Sequence, residues 1–116
     1  ELRVHIEGHC PTDALTRAQF FFGKLNMHET RDGTGVLLYV SPGSQKTAIF
    51  AGPGIHKAAG DALWKAAVNE VAHGFKAHDG IGGIESAILM VGEAMRRCAI
   101  GDDTAGNELP NEVTIS

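Results

Sequence analysis

The chain predicts an α/β fold, a three-layer sandwich with a central mixed β-sheet and helices on both faces. Three observations lead there. Residues 2–7 alternate Leu2, Val4 and Ile6 with Arg3, His5 and Glu7, the period of a half-buried strand. Val36-Leu37-Leu38-Tyr39-Val40 is apolar without alternation, as in a strand buried on both faces. Amphipathic helical patterns separate and follow these strands.

Each element has its own local signal. After the first strand, Pro11 and Thr12 open a helix, with Thr12 as the expected N-cap and Asp13 at the positive end of the dipole. Ala14, Ala18, Phe21, Phe22 and Leu25 fall on one face of it. Arg31-Asp32-Gly33-Thr34-Gly35 is turn chemistry leading into the apolar strand. Ser41-Pro42-Gly43-Ser44 is a second turn, and Lys46-Thr47-Ala48-Ile49-Phe50 the strand after it. So short a link requires an antiparallel hairpin. The helix between the first two strands instead implies a parallel, right-handed crossover.

A helical period starts after Gly52-Pro53-Gly54, with Trp64, Val68, Val71 and Phe75 on one face. Gly74 and His78-Asp79-Gly80 are read as its end. Gly82-Gly83 precedes a last helix carrying Ile84, Ile88, Val91 and Met95, with Arg96 and Arg97 at its C-terminal end. The order is β-α-β-β-α-α plus a tail. A folded core over residues 1–100 and a polar tail or edge segment over 101–116 make one domain. A further strand is expected around Val113-Thr114-Ile115. The pattern begins abruptly, so a native N-terminal segment is expected to precede it.

Bulk properties narrow the function. Net charge is −4 with no basic stripe, which argues against a nucleic-acid or anionic-membrane partner. No signal peptide and no apolar run of transmembrane length is present. Two cysteines, Cys10 and Cys98, are too few for a disulfide framework and read as free, partly buried thiols.

The most informative stretch is Ile49 to Trp64, where a strand, a glycine turn and a helix follow one another. Such junctions leave backbone N–H groups unpaired and often hold ligands. Gly52, Gly54 and His56 form the candidate ligand loop, although Gly-x-Gly alone is a weak phosphate motif. Asp61 reads either as a helix-start residue or as a metal ligand. Asp102, Asp103 and Glu108 lie in an oxygen-rich, turn-prone run suited to Ca²⁺ or Mg²⁺, without EF-hand spacing. A solvated acidic tail is the simpler reading of that run.

Six histidines raise a haem or transition-metal reading using surface imidazoles. His5 and His9 cannot share a helical face if residues 2–7 are a strand, and no Cys-x-x-Cys occurs, which disfavours zinc. Ser41, Ser44 and Cys10 are the candidate nucleophiles, and none has a Gly-x-Ser-x-Gly setting.

Several segments together resemble the TPM domain family, also called the TPM phosphatase family. Glu1 to Glu7 is similar to its opening strand, and Gly33 to Val40 to its central strand. Ala48 through Trp64 resembles its strand–loop–helix. Asp79-Gly80-Ile81 with Ala87-Ile88 is similar to the start of its last helix, and Asn107 to Glu112 to a C-terminal signature of its soluble members.

The resemblance implies the same α/β sandwich and an additional N-terminal helix. It implies divalent-cation binding, Ca²⁺ in particular, with Asp61 as a ligand and Asp102, Asp103 or Glu108 closing over it. It also implies acid phosphatase activity by metal-activated water, acting on a phosphorylated small molecule or protein. A cytoplasmic location is the expectation for this type. The rival reading is a non-enzymatic interaction or regulatory module that docks a protein through loop and tail. Soluble members often carry an acidic residue where Gly52 stands, and its loss here weakens a metal site at that loop.

Overall fold

The computed structural model describes residues 1–29, 33–98 and 112–115. Strand β1 (Leu2–Ile6) leads into helix α1 (Ala14–Lys24) and a short 3₁₀ turn at Met27–Glu29. Strands β2 (Val36–Ser41) and β3 (Lys46–Ala51) follow, then α2 (Pro53–Ala59), α3 (Asp61–Lys76), α4 (Gly80–Cys98) and β4 (Glu112–Ile115). The sheet order is β3-β2-β1-β4. β1 is parallel to β2 and to β4, while β2 and β3 pair antiparallel. The parallel crossover, the hairpin and the strand in the tail all match the sequence reading.

Alternation along β2 divides the core. Val36, Leu38 and Val40 face α2, α3 and α4, packing with Ile55, Trp64, Ala67, Val71, Val91 and Met95. Leu37 and Tyr39 face the other way, against Ala18, Phe21 and Phe22 of α1. All six β2 residues are buried, as a strand covered on both faces requires. Helices therefore cover both faces of a mixed sheet, giving the expected three layers.

The helix boundaries differ from the sequence reading, each for a local reason. Asp13, not Thr12, caps α1: its Oδ1 accepts from the Thr16 amide at 3.0 Å. The helical period after the glycine loop is broken at Gly60, whose φ of 88° and ψ of 158° suit only glycine. Gly74 lies in the last turn of α3, which runs on to Lys76, and Gly82-Gly83 lie in the first turn of α4, which begins at Gly80. The turn between α3 and α4 is residues 77–79, with His78 at φ 58°. Asp79 caps α4, its Oδ1 accepting from the Gly82 amide at 3.0 Å.

Gly74 and Gly83 are used for close approach instead. A Cβ on Gly74 would lie 2.6 Å from the Gly83 Cα and 2.6 Å from the Asp79 carbonyl oxygen. The two helices thus cross in backbone contact beside their turn.

Helix α1 is fixed to the sheet by a polar cluster as well as by its apolar face. Arg17 grips Glu7 with two bonds, Nε to Oε1 at 3.0 Å and Nη2 to Oε2 at 2.6 Å. The Tyr39 hydroxyl donates to the same carboxylate at 2.6 Å. Arg17 also lies over the Phe20 and Phe21 rings, and buried His5 stacks on Phe21 at 3.8 Å. Burial raises the Tyr39 phenol well above its ordinary range, helped by hydrogen bonds with Cys10 and Glu7. The free thiol of Cys10 is partly exposed. The bond from Arg17 holds Glu7 below its ordinary 4.5, with Tyr39 adding to it against burial. Burial holds His5 below its ordinary 6.5.

Two measurable consequences follow from these contacts. Gly74→Ala gains up to about 1 kcal/mol of helix propensity but forces apart a backbone crossing, an overpacking cost of about 1–3 kcal/mol. A net loss of stability is expected in urea denaturation; an unchanged or raised midpoint would contradict the crossing.

The lowered values of His5 and Glu7 fix the sign of the acid response. In both cases the unfolded chain takes up protons first as pH falls. Stability should decline below 6.5 from His5 and again below 4.5 from Glu7. Glu7→Gln should cost stability at neutral pH, and its deficit relative to wild type should shrink as pH drops through the Glu7 range. Melting curves from pH 7 to 3 measure this, and a deficit independent of pH would refute the assigned role of the carboxylate.

Candidate functional site

The strand-to-helix junction after β3 is built on two glycines in contact. Gly33 sits at φ 65°, and a Cβ on Gly52 would fall 2.5 Å from the Gly33 carbonyl oxygen. The Gly52 amide donates to the Gly35 carbonyl at 2.8 Å, and the Ile55 amide to the Gly33 carbonyl at 3.0 Å. Pro53 has no N–H to offer. Much of the amide set expected to cradle a ligand at Gly52–Gly54 is thus joined to the turn at residues 33–35. No side chain fits at Gly52 while Gly33 lies against it.

The break at Gly60 turns the chain so that α3 starts beside the end of α2. The His56 ring stacks on Trp64 at 6.2 Å between centroids. Its Nε2 lies 3.3 Å from Asp61 Oδ1, with both side chains more than half exposed. Gly60 is the residue before α3, and no side chain caps that helix. Asp102, Asp103 and Glu108 lie outside the described residues. Among the described residues, no three His, Cys, Asp or Glu side chains converge as a metal-binding group.

His56 and Asp61 stand at one end of a cleft of about 280 Å³, walled by Leu15 of α1, Ile49 and Ala51 of β3, and Trp64 and Lys65 of α3. It continues along β3 past Thr47 to Val68 and Asn69. Trp64 is 8% exposed, and its indole Nε1 is buried without a hydrogen-bond partner among the described residues. Leu15 is 55% exposed, an apolar side chain standing at the rim. Leu15 and Lys65 lie off the apolar faces of their helices, so nothing in the helical pattern marked them. The position of β3 at the sheet edge could be read only from strand order.

The comparisons agree with this architecture. The family model of the TPM domain matches residues 1–94. The chain is similar to the BA42 protein of the psychrophilic bacterium Bizionia argentinensis, a structure determined by NMR, at 30% identity and a TM-score of 0.83. That alignment covers 100% of this chain and 80% of BA42. No curated protein matches the chain. Sequence match and shared fold together make the chain a member of the TPM domain family.

Proposed function

We propose that this TPM domain is a binding module whose ligand occupies the cleft between Leu15, β3 and Trp64. The observation that carries the reading is Trp64, which lines the cleft and whose indole Nε1 is buried without a hydrogen-bond partner among the described residues. A buried donor without an acceptor costs about 1–3 kcal/mol. A ligand bearing a carbonyl or carboxylate beside apolar surface would relieve that cost and cover Leu15 and Ile49. Specific pockets share this makeup of apolar walls with a few placed polar groups.

Trp64 is the single tryptophan, so its indole resonance reports on the cleft alone. In an amide- and carboxylate-bearing fragment screen by two-dimensional NMR, hits should shift the Trp64 indole together with the Ile49 and Ala51 amides. Leu15→Glu should remove the response. Hits that all fall elsewhere on the surface would sink the reading.

A divalent cation, Ca²⁺ before Mg²⁺, is the second reading, favoured by the exposed Asp61 carboxylate at the mouth of the cleft. Ca²⁺ takes about six to eight oxygen ligands. Among the described residues Asp61 offers the carboxylate and His56 only a nitrogen, so this donor set alone does not fit the ion. Asp102, Asp103 and Glu108 would have to complete it. Under this reading Ca²⁺ raises the melting temperature, by an amount equivalent to about 2.7 kcal/mol at a hundredfold excess over Kd. Asp61→Asn abolishes the shift. Metal-dependent hydrolysis of an aryl phosphate, lost in the same variant, would extend the reading to phosphatase activity. No shift at millimolar Ca²⁺, with Asp61→Asn melting like wild type, would remove both.

A further inference from the structure

We propose that the cleft receives an extended, acidic peptide segment of a partner protein, which adds to the sheet as a strand beside β3. The proposal rests on the cleft reading above and assigns its ligand class. Strand β3 is at the edge of the sheet, paired on one side with β2. Which of its backbone groups are free follows from the ladder. The Gly52 amide bonds to the carbonyl of Gly35, the residue opposite it in register. In an antiparallel pair, bonded and non-bonded positions alternate. Phe50, Ala48 and Lys46 therefore turn their N–H and C=O toward β2. Ala51, Ile49 and Thr47 turn theirs outward, and among the described residues no backbone hydrogen bond joins them to another element.

These three residues line the cleft together with Ala48, Phe50 and Trp64. An edge carrying free donors and acceptors at alternate residues is complementary to one ligand above all, another extended backbone. Sheet edges are commonly protected by proline, bulges or inward charge. The β3 sequence Lys-Thr-Ala-Ile-Phe-Ala has no proline, and its one charge is Lys46 at the start. Apolar wall on the α3 side, from Trp64 and Val68, would take alternate side chains of the added strand.

Charge selects among peptides. Lys65 lines the groove, and Lys46 at the start of β3 reaches the Thr12 carbonyl with its Nζ at 3.1 Å. The one carboxylate in the lining, Asp61, has His56 beside it. The balance favours a strand carrying glutamate or aspartate on one face and small apolar residues on the other.

The test uses a terminally blocked peptide of alternating valine and glutamate with the intact chain, read by amide hydrogen exchange in NMR. The peptide should slow exchange at Thr47, Ile49 and Ala51, leaving Ala48 and Phe50 as they were. N-methylation of its alternate residues, which deletes a row of donors, should weaken binding about tenfold or more. Thr47→Pro, which removes one outward N–H at an edge position, should weaken it several-fold; the unmodified chain with the methylated peptide covers the case where that variant unfolds.

No slowing at millimolar peptide overturns the proposal. Binding that ignores N-methylation overturns strand addition but leaves the cleft as a side-chain site, so the two failures are distinguishable. Equal binding by a valine–lysine peptide overturns the acidic preference. Slowing of the same amides with rising protein concentration, without peptide, overturns the partner in favour of a second copy of the chain.

Discussion

Complete burial of β2 is the constraint on which the rest of this fold depends. A strand with every side chain removed from water must have a layer on each face. Leu37 and Tyr39 demand α1, while Val36, Leu38 and Val40 demand the helices that follow β3. Its backbone must also be paired on both sides. β1 meets one side through a helical crossover and β3 the other through a tight turn. With β4 beyond β1, β3 is left at the opposite edge, and the cleft along it is a consequence of that arrangement.

Two polar devices set the layers against the sheet. On the α1 side, Glu7 accepts from Arg17 and Tyr39, so a helix, the end of β1 and the center of β2 share one carboxylate. That carboxylate stands near the C-terminal ends of the parallel strands. The candidate site lies at the opposite end, where β3 leaves the sheet. There the joint is made of glycine: a Cβ on Gly52 would strike the Gly33 carbonyl, and one on Gly33 would crowd Gly54 and Pro53. The absence of a side chain at position 52 is therefore part of the packing of this junction. A side chain there would require Gly33 to move away.

What the sequence made legible was periodicity, and what it hid was backbone geometry. The alternation of Leu2, Val4 and Ile6 and the unbroken run from Val36 to Val40 report side-chain burial directly, and both strands are where those patterns lie. The two-layer core and the hairpin follow from burial and loop length alone. Glycine is ambiguous by contrast. Gly60 breaks a helix because its φ is positive, while Gly74 continues one because a neighbouring helix needs its missing Cβ. A sequence shows the same letter in both places. The cleft was hidden for a related reason, since it depends on which strand has no second neighbour. Of the residues read as site candidates, His56 and Asp61 are brought together at the cleft by the turn at Gly60, and Gly52 and Gly54 serve the junction behind it.

Trp64 ties stability to the site. Its ring belongs to the core shared by β2, α3 and α4, and its edge forms the cleft wall between His56 and Lys65. Phenylalanine at that position would keep most of the apolar burial and spare the roughly 1–3 kcal/mol cost of an unpartnered buried N–H. A core selected for stability alone has no use for the indole nitrogen. The nitrogen has a use if an acceptor arrives from outside the described residues, and Trp64 lines the cleft along β3. Among the described residues, the edge strand β3 and the single tryptophan, with its unpartnered donor, thus line one cleft.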